Sequence, residues 1–393
     1  MAKLSTLVAS SLLLLATLAT AFQNVRFQPC RTNRAHQSHP SSLHQALDTG
    51  SSRHTATRLS AQMPTRPSWF RRTDNNKPET VLSMSDNDDN NTPDDDDDKT
   101  AKKVAGRKKR VLMGYRLSAV IYALLSIATL VPAFVKPQLT AMALNYAGGP
   151  VLAGGVAYIL TSAATNDRLG SDTYKRLNLM LSKFGLAWLL AAILVTQRTA
   201  TPLSRGAKIV CNPLVVLASL SATINGIKGW GYGVKGWDKK GDASFGNDLV
   251  GLFQSSMGVF VSAIPDASSG IYLLGTLFSA GLLVKKAIEL GELILGGGGA
   301  ATGAQLAVRI LAMAKLQLLA GVIFVLMDAA KRKRLSGSTF VELNVLSSIV
   351  WLGMGAFLKN VGQAKSSTLA FVFGSFSLLT GLQFYVKNKR SAN

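Results

Sequence analysis

Few residues of this 393-residue chain are of the types that carry catalytic or metal chemistry. The only cysteines are Cys30 and Cys211, and the four histidines all lie in the first 54 residues: His36, His39, His44 and His54. A mature chain without this leader would lack the ligands of a typical zinc site. It would also lack a histidine for haem binding or for Ser-His or Cys-His catalysis. We therefore expect no enzyme activity, no bound metal and no cofactor.

Charged side chains within long apolar runs are the remaining candidates for a functional site. Lys183 and Lys315 each lie inside such a run, and Asp328 ends the run that contains Lys315. A charge within the hydrocarbon of a membrane is costly and usually functional, so the two lysines are candidates for lining an anion or substrate pathway. The alternative is that each lysine extends its head group to the nearby end of its helix. Asp328 would then pair with the basic residues that follow it.

Two asparagines, Asn178 and Asn344, form a further candidate pair. They occupy matching positions of an internal repeat, near the starts of two predicted spans. Two arrangements are open for them. They could face each other across the axis between the repeats, or they could be helix-start residues that hydrogen-bond locally.

The elements that position these residues are apolar helices. The chain is 48% hydrophobic and only 16% charged, which is too little charge for a soluble chain of this length. Its formal charge of +22 lies in short clusters between apolar runs, which argues against nucleic-acid binding. Eight runs are long enough to cross a bilayer, which takes about 20 residues: 112–135, 139–164, 177–196, 207–227, 249–265, 306–327, 340–358 and 369–386. A ninth run, 271–284, is shorter and predicts a re-entrant or interfacial segment.

An internal repeat organises these runs. Residues 153–178 match residues 319–344 without a gap, and the identities include the polar pairs Arg168/Arg334 and Thr173/Thr339. Apolar composition alone would not align these polar loop residues, so we expect two homologous halves. The predicted halves are 111–227 and 249–386, with a glycine- and aromatic-rich linker at 228–248 and an insertion at 266–304.

The distribution of basic residues predicts the relative direction of the halves. If the short run 271–284 does not cross, five segments share one face and hold 18 Lys or Arg, against eight on the other face. Basic segments stay on the untranslocated face, so both halves should point the same way, related by a twofold axis along the membrane normal. We therefore predict an all-α polytopic membrane protein of about eight transmembrane helices in two parallel four-helix repeats.

The N-terminal region has the composition of a targeting leader. Residues 1–21 are typical of a signal peptide, and residues 22–47 contain several Arg, Ser and His and no acidic residue. The junction "ATAFQ", in which Phe22 follows the cleavage site, resembles the bipartite plastid-targeting presequences of diatoms and related algae with complex plastids. This resemblance implies a transit peptide at 22–85. Residues 86–110 form a charged linker that we expect to be disordered, and 387–393 form a basic tail.

These features favour an integral membrane protein of the plastid envelope or thylakoid, with the endomembrane system as the alternative location. The repeat and the glycine-broken segments favour a transporter or channel for a small solute or anion. The alternative is a non-transporting scaffold or assembly factor of membrane complexes. In either case the expected partners of the protein are the lipid bilayer and other membrane proteins or further copies of itself, and not nucleic acid.

Overall fold

The structure is a computed structural model that describes residues 95–135, 139–198, 210–238, 244–295 and 303–392. The leader and residues 86–94 of the predicted charged linker lie outside these residues, whereas residues 95–110, predicted to be disordered, are helical and form the first part of the first helix. Within the described part of the chain all regular elements longer than one turn are α-helices. There are nine: α1 (Asp95–Val135), α2 (Thr140–Thr165), α3 (Asp172–Arg198), α4 (Pro213–Lys235), α5 (Phe245–Val261), α6 (Ala267–Leu295), α7 (Gly303–Lys331), α8 (Ser338–Asn360) and α9 (Ala364–Ala392).

Seven of these helices are long and apolar enough to cross a membrane: α1, α2, α3, α6, α7, α8 and α9. A helix satisfies its own backbone hydrogen bonds, as a chain segment in lipid must. Helices α2, α7 and α8 are mostly buried inside the bundle, whereas α1, α6 and α9 turn many apolar side chains outward, as lipid-facing helices do. The predicted all-α polytopic membrane fold is confirmed, and the chain is an integral membrane protein.

The loops that follow α2 and α7 share one backbone conformation. Asp167 and Lys333 both have positive φ angles, 55° and 56°. The amide of the next residue in each loop donates to a carbonyl five residues earlier, Arg168 to Ala163 and Arg334 to Ala329, each at 2.8 Å. A left-handed residue that closes a helix end in this way is a common C-terminal cap, and non-glycine residues adopt it rarely. The internal repeat is therefore a repeat of structure as well as of sequence.

The two halves run in parallel, as predicted. The hydroxyls of Tyr174 and Thr339, in the first turns of α3 and α8, are hydrogen-bonded at 2.9 Å. Deeper in the bundle, a Cβ on Gly155 would overlap Leu346, and one on the repeat-related Gly321 would come within 2.8 Å of a Met180 side-chain atom. Equivalent ends of the halves thus meet, which requires a pseudo-twofold axis parallel to the helices. We call the end that carries the α2–α3 and α7–α8 loops the basic end, and the other the opposite end.

Helix α6 is longer than the predicted segment 271–284. It spans 29 residues, from Ala267 to Leu295, and continues through the lysines at which the apolar run was taken to stop. Lys286 pairs with Glu289 one turn later, at 2.7 Å, and Glu289 also pairs with Arg309 of α7. The helix continues past the lysines because Glu289 provides an ion-pair partner for Lys286 within the same helix. The prediction of a short re-entrant or interfacial segment is corrected to a full-length apolar helix.

Helix α6 also takes the place in the second half that α1 takes in the first. The Tyr115 hydroxyl of α1 donates to the Asn178 side chain, and the Tyr272 hydroxyl of α6 donates to Asn344. Asn178 and Asn344 are repeat mates, so these contacts make α6 the counterpart of α1. The second repeat is thus formed by α6–α9. The run 249–265, predicted as its first span, does not hold this position.

Helix α5 lies along the basic end of the bundle. Near its start, Asp248 pairs with Lys175 in the first turn of α3. At its other end, the ammonium group of Lys331 in the last turn of α7 donates to the carbonyls of Val259, in the last turn of α5, and of Ser262, which follows the helix, at 2.6 and 2.7 Å. Both anchor points are at the basic end, and α5 has only 17 residues. It therefore runs across this end and joins the two halves there, in contrast to the predicted span.

Candidate functional site

Lys315 is a buried charge near the middle of the bundle. It lies close to the centre of the 29-residue α7, and only 8% of the residue is exposed. Helix α7 begins at Gly303, three residues before the predicted span 306–327, so Lys315 is more than three turns from the start of the helix. Its ammonium group donates to the side-chain oxygen of Asn145 in α2 and to the backbone carbonyl of the same residue, the latter at 3.1 Å.

The neighbouring turn of α2 leaves room for this side chain. A Cβ on Gly149 would lie 3.5 Å from the Lys315 Cβ, and one on Gly148 would lie 3.7 Å from the Lys315 Cδ. Two glycines in succession thus let α2 and α7 approach closely, as small residues do in membrane helices. Gly149 is also the repeat mate of Lys315. Contact between repeat mates means that the pseudo-twofold axis passes between them, so Lys315 stands at the junction of the two halves.

A cavity of about 650 Å³ reaches Lys315 from one side. Its lining includes Leu139 and Ala304, at the ends of α2 and α7 that lie at the opposite end of the bundle. Farther in are Phe184 and Trp188 of α3, and Lys315 lines the cavity at their level. The cavity therefore extends from the opposite end to the middle of the bundle, and its walls are mostly apolar and aromatic.

The bundle is closely packed between Lys315 and the basic end. Asn178 and Asn344 are fully buried there. The guanidinium group of Arg176 in α3 pairs with Asp328 in α7 at 3.0 Å, and this ion pair joins the two halves. Asp328 also pairs with Arg332 at 2.7 Å. The cavity is thus accessible from the opposite end and is closed toward the basic end by polar contacts that link the halves.

The other predicted residues lie away from the cavity. Asp328 belongs to the ion pairs at the basic end, and Lys183 is exposed on α3, outside the cavity lining. Asn178 and Asn344 do not bond to each other across the axis, because each accepts a hydrogen bond from a tyrosine of its own half.

Sequence reasoning missed those tyrosines, Tyr115 and Tyr272, and also missed Asn145. These tyrosines could have been found from the sequence because each lies at a similar depth in the first helix of its half. This signal could be used only once α6 was known to begin the second half.

The described residues contain no group of three or more His, Cys, Asp and Glu side chains that could hold a metal ion. The site is therefore characterised by one buried cation with an amide partner. Comparisons with protein-family models, with curated proteins and with solved structures found no match. The class of the protein, a polytopic membrane protein with parallel repeats and a one-sided central cavity, thus comes from its own sequence and structure.

Proposed function

We propose that this protein transports a small anionic solute across a membrane and that Lys315 binds the anion. One observation carries the proposal: a cavity from one end of the bundle terminates at a buried lysine on the axis between two parallel halves. Within the described part of the chain no carboxylate forms an ion pair with Lys315. An isolated charge at this depth is unfavourable, so an anionic ligand would stabilise the site.

The proposed transport cycle is alternating access. In the present conformation the solute reaches Lys315 from the opposite end, since the cavity extends only to that side. Rocking of the halves about the contact of Gly149 with Lys315 would close the cavity and separate the contacts at the basic end. Those contacts are the pair of Arg176 with Asp328 and the hydrogen bond of Tyr174 with Thr339, which both connect the halves.

Uptake into proteoliposomes tests the proposal. The purified chain would be assayed with labelled chloride, phosphate, pyruvate, malate and oleate, with Lys315→Gln as the test variant. Lys183→Gln is the matched control, because it removes the same charge at an exposed position. Loss of a charged hydrogen bond should lower the uptake rate at least about tenfold in the first variant and leave it unchanged in the second. No protein-dependent uptake of any of these anions would refute the proposal.

A membrane scaffold is the second candidate, and the apolar walls of the cavity favour it, because they offer few groups to a hydrated solute. Under this alternative the closely packed centre of α2, α7 and α8 would support surfaces that bind other membrane proteins. Stable co-purification with a membrane complex, together with no uptake in the proteoliposome assay, would favour the scaffold over the transporter.

We further propose that the protein resides in a plastid membrane. The leader at 1–85 supports this, through its signal-peptide pattern, its transit-peptide composition and Phe22 at the junction. A fusion of residues 1–85 to a fluorescent protein, expressed in a diatom, should enter the plastid. Phe22→Ala should hold the fusion outside the plastid stroma. Equal import of both fusions would contradict the role of Phe22, and retention of both in the endomembrane system would contradict the location.

A further inference from the structure

We propose that the ligand of the Lys315 cavity is an amphiphilic monoanion, a long-chain carboxylate, whose carboxylate binds the ammonium group while its hydrocarbon body lies along the cavity walls. This inference rests on the proposed function only in placing the ligand at Lys315. It adds the chemical class of the ligand, which the proposed function leaves open.

The charge of the site fits a single anionic group. A lysine ammonium group has three donors, and Asn145 accepts two of them, so one donor is left for a ligand oxygen. Among the lining residues that the structure describes there is no arginine to hold a carboxylate or a phosphate in a bidentate fashion. A monocarboxylate therefore matches the site better than a dicarboxylate or inorganic phosphate, whose remaining charge would be buried without a partner.

The walls fit a hydrocarbon body. Among the described lining residues, the polar side-chain groups besides Lys315 and Asn145 are the hydroxyls of Thr129 and Tyr146 and the indole N–H of Trp188, which donates to the Val210 carbonyl, and the other residues are aliphatic, aromatic or small. A hydrophilic ligand would lose its hydration here without replacement, whereas an alkyl chain loses nothing. The volume of about 650 Å³ is within the usual 300–1,000 Å³ of small-molecule sites.

The rim of the cavity offers a lateral route from the bilayer. Met142 and Tyr146 of α2 and Val308 of α7 line the cavity and are 45–48% exposed. In the proposed mode this exposed rim faces lipid, and an amphiphile dissolved in the leaflet enters sideways between α2 and α7. The tyrosine at the rim presents an apolar ring to the chain and a hydroxyl to the head group.

Trp188 lines the cavity and therefore reports directly on its occupation. The full-length chain would carry Trp188 as its sole tryptophan, with the others replaced by phenylalanine, in nanodiscs of phosphatidylcholine. The matched control would carry only Trp351, which is buried between Phe278 and Phe373 in the other half. The probe is 9,10-dibromostearate, whose bromines quench tryptophan at contact, and its methyl ester has the same chain without the charge.

The acid should quench Trp188 saturably at low mole fraction. Its methyl ester, or Lys315→Gln with the acid, should need at least about tenfold more probe, since a charged hydrogen bond is lost. Lys315→Arg keeps the charge and should retain saturable quenching, which separates loss of binding from misfolding. Lys183→Gln should behave as the parent, and Trp351 should show only the unsaturable quenching caused by probe in the lipid.

Equal quenching by acid and ester, or by acid in the parent and in Lys315→Gln, would overturn the inference. So would displacement of the probe by millimolar phosphate or malate. The outcome is separable from that of the transport proposal. Saturable binding without uptake would leave this inference standing and remove transport. Uptake of a hydrophilic anion without dibromostearate binding would support transport and overturn this inference.

Discussion

The buried ion pair at the basic end predicts an unequal response to the removal of its two partners. The Arg176 and Asp328 side chains are only 6% and 8% exposed. Replacing Asp328 by Asn leaves a buried guanidinium group without a carboxylate, and Arg332 loses the same partner. Breaking a buried pair in this way costs about 3–5 kcal/mol. We therefore expect Asp328→Asn to lower the free energy of unfolding by about that amount.

Replacing Arg176 by Gln should cost less. Asp328 would keep its 2.7 Å pair with Arg332, which is itself half-exposed and can follow the carboxylate. The losses are then the hydrogen bond to Ser255, at 2.7 Å, and the contact of the guanidinium group with the Phe324 ring, at 5.1 Å. Together with the loss of the Arg176–Asp328 ion pair, these lost contacts should lower the free energy of unfolding by about 1–3 kcal/mol. Asp328→Asn should therefore be more destabilising than Arg176→Gln, because Arg332 can still pair with Asp328 when Arg176 is replaced.

Equilibrium unfolding of the purified chain in mixed micelles would measure both variants, the double variant and Arg332→Gln. The double variant should be less damaging than the sum of the two singles, because a neutral pair leaves no unpaired charge. Arg332→Gln alone should cost under about 1 kcal/mol, since that residue is largely exposed. If Arg176→Gln were as destabilising as Asp328→Asn, or if the two effects were additive, the assignment of a shared buried carboxylate would be refuted.

Three further predictions follow from the repeat and from α5. Tyr115→Phe and Tyr272→Phe should each lower the free energy of unfolding by about 1–3 kcal/mol, and a loss in only one half would contradict their equivalence. Gly155→Ala should cost about 1–3 kcal/mol by overlap with α8, whereas Gly281→Ala, with open space at its Cβ, should be neutral or slightly stabilising in the same unfolding assay. A cysteine at Asn247 of α5, as the sole cysteine, should react with an impermeant maleimide from the side of the α2–α3 loop. Labelling from the side of the α8–α9 loop would contradict the course of α5.

The sequence was sufficient to predict the repeat and its direction because polar residues repeat in the loops. Arg168 and Arg334 follow the two left-handed residues that close α2 and α7, so their alignment marks equivalent backbone positions. Basic residues also gather at one end in both halves. The charge count assumed that only one of the runs 249–265 and 271–284 crosses. The structure exchanges the roles of these two runs, so the number of crossings between the halves, and with it the predicted direction, is unchanged.

Hydropathy alone could not distinguish α5 from α6. The run 249–265 is as apolar as a span, but its 17-residue helix is held at both ends by lysines of the basic end. The run 271–284 is interrupted by Lys285 and Lys286, but the partner of Lys286 is a glutamate in the next turn. Whether each run forms a full-length helix along the bundle depends on polar partners near the ends of the run. An average of hydropathy over the run does not register these partners.

Hydropathy also could not separate Lys183 from Lys315. A helix in a membrane is apolar on the side that faces lipid and on the side that faces other helices, so its sequence pattern does not reveal which side is buried. Lys183 turned out to be exposed and Lys315 buried. The informative signal for Lys315 was its repeat mate, Gly149, which leaves space at the position where the two halves meet.

That contact of Gly149 with Lys315 explains why the repeat places a lysine on only one side of the axis. Lysine at both positions would place two ammonium groups side by side on the axis, and their repulsion in a low dielectric would separate the halves. Exchanging the two, in Gly149→Lys with Lys315→Gly, keeps the composition but moves the cation across the axis. There the residue equivalent to Asn145 is Leu311, which has a backbone carbonyl but no side-chain amide oxygen to accept from the ammonium group. The exchanged chain should therefore not regain dibromostearate binding and should be less stable than Lys315→Gly alone, whereas binding as tight as that of the parent would show that Asn145 is dispensable.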